Sequence, residues 1–196
     1  ESCGPVGELL QEYARKEWNH EAHIGETPTQ IISEIVQHGK IAVEAIDKAT
    51  PAVAKEKDEF NRLKNDVYCY NAFANCFSEK VEAALLVLRY SYSNDISDLD
   101  KAMPHLEKSI EHYELLVNLT KDTYYYANSM QTAQRRIPIG GDDGNNKTWA
   151  ELLPHYEREL ANFKRNLDKL KSSKDDKIES KEGKPWKTAE VTFIDE

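Results

Sequence analysis

Residues 55–89 read KEKDEFNRLKNDVYCYNAFANCFSEKVEAALLVLR, and the fold class follows from this stretch. Its apolar positions Phe60, Leu63, Val67, Tyr70, Ala74, Phe77, Val81, Ala84 and Leu88 step by three and four residues in strict alternation. That spacing keeps one seam of an α-helix turned toward its neighbours. No Pro or Gly interrupts it. At 1.5 Å per residue the helix is roughly 50 Å long. A second apolar set, Cys69, Phe73, Cys76, Leu85, Leu86 and Val87, runs beside the first. A helix apolar on more than one side is covered on more than one side. The stretch is therefore expected to be the central element of a helical bundle. Phe77 is expected in the core, touching at least two other helices.

Helical spacing continues outward in both directions. Residues 5–18 carry Val6, Leu9, Leu10 and Tyr13 on one stripe, with Pro5 suited to a first turn. Residues 19–26 form a polar break. Thr27-Pro28-Thr29-Gln30 then reads as a capping box with Pro at the first helical position. The helix it opens runs to about Ala49 through Ile31, Ile32, Ile35, Val36, Ala42, Val43 and Ile46, with Gly39 a weak point. After Arg89, residues 90–95 read as a polar turn, with Ser97 the expected N-cap of the next helix. That helix shows Leu99, Met103, Leu106, Ile110, Tyr113 and Val117, and Pro104 is expected to kink it or delay its start. Residues 120–133 read as helical again. Thr148-Trp149-Ala150-Glu151 is a second capping box, opening a final helix through Leu152, Tyr156, Leu160, Phe163, Leu167 and Leu170.

The expected fold is all-α: an up-down bundle of about five helices over residues 1–172, with one long central helix. Residues 173–185 are charged, with few apolar side chains, and read as a linker. In residues 186–196, Ala189, Val191 and Phe193 alternate with polar partners, as in a strand. This short strand-like tail is expected to begin a following β-domain.

The 196 residues carry a formal net charge of −9. An acidic chain without a basic stripe argues against nucleic acid and anionic membrane surfaces as partners. No apolar run approaches the roughly 20 residues that span a bilayer, so no membrane insertion is expected. The first residue is Glu, and we expect a segment cut from a longer chain. Cys69 and Cys76 are two turns apart on one helix, roughly 10 Å, too far for a disulfide. Buried free thiols are expected there, and Cys3 is left without a defined redox state.

Motifs for chemistry are sparse. The loop 140–146 gathers Asp142, Asp143, Asn145 and Asn146, oxygen ligands of the kind calcium prefers. Counting Asp142 as the first position of an EF-hand places Leu153 where a bidentate Glu is needed, so a structural, metal-free turn is expected. Glu17, His20, Glu21 and His23 lie within two turns, yet no zinc motif accompanies them, and a solvated helix end is the expectation. There is no nucleophile elbow, phosphate-binding glycine loop or dinucleotide fingerprint. No catalytic residue, cofactor or metal ligand is assigned. The candidate interaction surface is aromatic: Tyr13, Trp18, Tyr124, Tyr125, Tyr126 and Trp149. Three consecutive tyrosines cannot all face one core, so at least one is expected outside, able to stack on a sugar or a partner surface.

The opening Gly4-Pro5-Val6-Gly7-Glu8-Leu9-Leu10-Gln11-Glu12-Tyr13-Ala14-Arg15-Lys16-Glu17-Trp18 resembles the segment that follows the catalytic barrel in large bacterial glycoside hydrolases of the α-glucuronidase-like kind. Residues 106–113, continuing to Tyr126-Ala127-Asn128, are similar to later helices of that region, and Lys184-Pro185-Trp186 to the entry of a following β-domain. The resemblance implies a non-catalytic accessory module of a secreted, periplasmic or cell-surface carbohydrate-active enzyme. Such a module would brace the catalytic domain or mediate dimerisation. Its implied partners are other domains of the same chain, a glycan, or a second copy. It transfers no catalytic carboxylate, because those lie on the barrel. The alternative is a stand-alone helical module that binds a glycan or peptide between its helices; an enzyme in its own right ranks last.

Overall fold

A computed structural model describes residues 7–124 and 147–172. Five α-helices account for most of them: α1 (Leu10–Asn19), α2 (Pro28–Ala49), α3 (Lys57–Ser93), α4 (Ile96–Thr120) and α5 (Trp149–Ser172). A 3-10 turn, Thr50–Ala52, joins α2 toward α3. The all-α bundle with one long central helix is thus the observed architecture. The loop 140–146, Tyr125, Tyr126, Cys3, Pro5, the linker and the strand-like tail lie outside the described residues.

Local chemistry sets the helix ends. Thr27 accepts from Gln30 N at 3.3 Å, with Pro28 at the first position of α2. Only half of the expected capping box forms, because the Gln30 side chain turns outward to Glu34. The second box is complete: Thr148 N donates to Glu151 Oε2 at 2.7 Å, and Glu151 N donates to Thr148 Oγ1 at 3.2 Å. The helix α3 runs through residues 90–93, which the sequence reads as a turn, and stops at Asn94 in the left-handed region, φ 52°. Asn tolerates that conformation. The cap of α4 is Asp95, whose carboxylate accepts from Ser97 N at 2.9 Å, so the cap precedes the expected Ser97 by two residues. Pro104 and Pro154 sit inside α4 and α5 without ending either helix.

Two residues between α3 and α4 force an antiparallel hairpin, which forms the centre of the bundle. One core cluster joins Ala83, Val87 and Tyr90 of α3 to Leu99, Ala102 and Leu106 of α4 and Phe163 and Leu167 of α5. A second joins Ala72 and Cys76 to Tyr113, Leu116 and Leu152. Small side chains at Ala72, Ala83 and Ala102 let α3 and α4 approach closely. On another side of α3 lies α2. A Cβ on Gly39 would stand 2.8 Å from Asn71 Oδ1 and 3.4 Å from Asn71 Cα, so the glycine permits this close approach.

The inner line of α3 runs through Ala72, Cys76, Ala83, Val87 and Tyr90; it takes Cys76 and Val87 from the second apolar set and leaves Leu63, Tyr70 and Phe77 of the first outside. Phe77 is 45% exposed, contrary to its expected place in the core. The physical reason is competition between two seams. The line with smaller residues brings more backbone and side-chain surface into contact with α4, leaving Leu63, Tyr70 and Phe77 outside.

Candidate interaction surface

Among the described residues, Tyr13, Trp18 and Trp149 of the predicted aromatic surface have different ring partners. Tyr13 is half-buried; its ring stacks on His23 at 4.7 Å and its hydroxyl accepts from Thr29 Oγ1 at 3.1 Å. Trp18 stacks on Tyr92 near the C-terminal end of α3, with centroids 5.9 Å apart. Trp149 belongs to another cluster, edge-on to Phe73 at 5.9 Å and 6.2 Å from Tyr113. Its backbone carbonyl accepts from the Tyr113 hydroxyl at 3.0 Å. Phe73 and Tyr92 are nineteen residues apart on α3, about 28 Å along the axis. Tyr124, beyond the end of α4, is exposed. Trp18 and Trp149 are thus separate features, and Trp149 serves packing.

The surface that does emerge was not singled out in the sequence. Leu63, Tyr70 and Phe77 are 52%, 75% and 45% exposed. They are seven residues apart. Two turns of helix bring a side chain back to within about 20° of the same line. Each pair is about 10 Å apart along α3. Phe73, also partly exposed, flanks the line between Tyr70 and Phe77. Four residues beyond Phe77, Val81 is buried. Helix α1 packs on α3, with Trp18 stacked on Tyr92 near its C-terminal end.

The densest polar chemistry lies beneath the N-terminal strap. Glu8 Oε1 accepts from Lys16 Nζ at 2.6 Å and from Ile24 N at 2.8 Å. Glu8 Oε2 meets His23 Nδ1 at 2.6 Å, and His23 Nε2 meets Glu17 Oε1 at 2.6 Å. Burial pushes the Glu8 carboxyl up, but the bonds from Lys16, His23 and Ile24 N outweigh it and hold it at about 2. Bonds to Glu8 and Glu17 raise His23 above its ordinary value, since a ring facing two carboxylates donates from both nitrogens only as imidazolium. Both Glu8 oxygens are occupied, so the group ties residues 7–26 together and is not a free base. Glu8 N also donates to Glu26 O at 2.9 Å. Of the predicted Glu17, His20, Glu21 and His23 group, only Glu17 and His23 meet. Glu21 pairs with Arg15 and Asn19. Among the described residues no group of three or more His, Cys, Asp or Glu is placed to hold a metal ion. Burial also raises the thiols of Cys69 and Cys76 to about 11.

An open cleft of about 370 Å³ lies between α2 and α3, lined by Val36, Lys40, Val43, Glu44, Asn71 and Asn75. Asn75 Nδ2 donates to Asn71 O at 2.7 Å, so its polar lining is partly engaged in the helix itself.

No protein-family model matches the chain, and no curated protein does. Among solved structures, a GH138 enzyme targeting pectin rhamnogalacturonan II is similar to it, with 56% sequence identity and a TM-score of 0.81. The match covers 89% of this chain and 21% of that one, so this chain spans about a fifth of the enzyme's length. Identity of this level over 89% of the chain relates it to a helical part of a larger glycoside hydrolase.

Proposed function

We propose that the chain is a non-catalytic helical module of a larger glycoside hydrolase and braces the catalytic part of that polypeptide. The observation that carries this reading is the match of 56% identity to one fifth of a GH138 enzyme. The relative's target, pectin rhamnogalacturonan II, is taken as the substrate class of the parent, in place of the α-glucuronidase-like resemblance. A pectic polymer is met outside the cytoplasm, so the parent is proposed to be secreted, periplasmic or held at the cell surface.

The chemistry of the described bundle supports a bracing role. Glycoside hydrolysis requires two carboxyl groups across one scissile bond, roughly 5–9.5 Å apart, in a concave site. The best-buried carboxylates of this bundle serve cross-links instead. Glu8 ties Lys16, His23 and the strap. Glu159 of α5 accepts from Lys80 of α3 at 2.6 Å. Asp98 accepts from Ser93 at the α3–α4 corner.

The 196-residue chain, assayed alone on rhamnogalacturonan II and on aryl-glycosides including glucuronides, is expected to give no turnover. Glu151→Gln and Asp142→Asn serve as controls. Turnover by the isolated chain that one of these substitutions abolishes would overturn the reading.

A further inference from the structure

We propose that the Leu63–Tyr70–Phe77 face of α3 is the docking surface for another part of the same, longer polypeptide, which meets it with an apolar surface of its own. The inference rests on the proposed function, whose partner it names.

The line is built to be covered. Large apolar side chains in register over four turns leave contiguous apolar surface in water, and such patches mark interaction sites. Further along the same line the helix is covered: Val81 is buried, and Ala84 and Leu88 are partly buried. The exposed part thus continues an existing packing seam. Its chemistry favours a protein surface over a glycan. Sugar recognition needs donors and acceptors placed beside the ring, whereas Leu63 and Phe77 have no polar side-chain atoms and Tyr70 has a single hydroxyl.

Area and length choose the occupant. Large side chains bury about 150–250 Å² each when fully covered, so three partly exposed ones offer a few hundred Å². A stable complex of separate molecules buries about 800 Å² on each partner. A second copy would therefore find too little here, whereas a partner tethered in the same polypeptide acts at an effective concentration of about millimolar and needs far less intrinsic affinity. The similar enzyme supplies such a partner in principle, since the match leaves about four fifths of its length outside.

The test is alkylation of Tyr70→Cys by a maleimide, in a Cys3→Ser background. It is run in the 196-residue chain and in the longer polypeptide that carries it, and read by mass spectrometry of the peptide containing position 70. Leu63→Cys is the second probe on the same line. Lys48→Cys, exposed on α2, is the control. Both line positions are expected to react freely in the short chain and about tenfold or more slowly in the longer one, with Lys48→Cys unchanged. Equal rates in the two contexts would overturn the proposal. So would protection already present in the monomeric short chain, which would assign the cover to its own residues, or protection that grows with its concentration, which would assign it to a second copy. Rhamnogalacturonan II hydrolysis by the same longer sample separates the two claims. Activity without protection removes the docking surface alone, and protection without glycosidase activity removes the enzyme reading alone.

Discussion

Phe77 and Val81 stand one helical turn apart on one seam of α3, yet Phe77 is 45% exposed and Val81 only 6%. The bundle covers this seam only in part. Truncating the two kinds of position should separate them energetically. Phe77→Ala is expected to cost about 1–1.5 kcal/mol, because nearly half of the residue is already in solvent. Phe163→Ala, in the fully buried centre, is expected to cost about 3–5 kcal/mol. Urea denaturation of the two variants checks this; equal losses would return Phe77 to the core.

The strap carries a pH dependence of known sign. His23 is raised above its ordinary 6.5 by its bonds to Glu8 and Glu17, so its contribution is full below 6.5 and lost as pH rises through the folded value. Glu8 is lowered from 4.5 to about 2, so its contribution is present above 4.5 and lost as pH falls toward 2. The clasp is strongest between about pH 4.5 and 6.5. A melting temperature higher at pH 5.5 than at 8.5 is expected, with the difference reduced in His23→Gln. A His23 titration midpoint by NMR at or below 6.5 would contradict the arrangement.

Much of the bundle was legible because helix formation is local. The spacing of apolar residues in α3, Thr27 and Thr148 as caps, and the path of α2 to Ala49 all depend on neighbours within a few residues. The choice between two seams of α3 does not. It depends on which line lets α4 come closest, and Ala72, Cys76 and Ala83 decide that through contacts with Leu99, Ala102 and Tyr113 in another helix. The settings of Tyr13 and Trp149 were not legible for the same reason. Tyr13 and Trp149 are satisfied by His23, Phe73 and Tyr113, partners remote in sequence or set by tertiary packing. The Glu8–His23 clasp closes over fifteen residues and has no local signature.

Cys69 and Cys76 are free thiols, each raised to about 11 by burial. The thiolate is the reactive form. Both are therefore expected to resist a thiol reagent at pH 8 in the native chain and to react on addition of urea. Rapid native-state labelling of Cys76 would show that the α3–α4 seam opens readily.

The proposed bracing role is tested most directly by the thermal inactivation of the longer polypeptide, proposed to be a glycosidase, carrying Tyr70→Glu and Phe77→Glu together. Both positions are exposed in this bundle, and Glu is a good helix former. The expected result is an unchanged initial rate and KM on rhamnogalacturonan II at low temperature, with a shorter half-life of activity on heating. An unchanged half-life would contradict the account, most plainly if KM rose at low temperature, since the stripe would then be serving the glycan and not the fold.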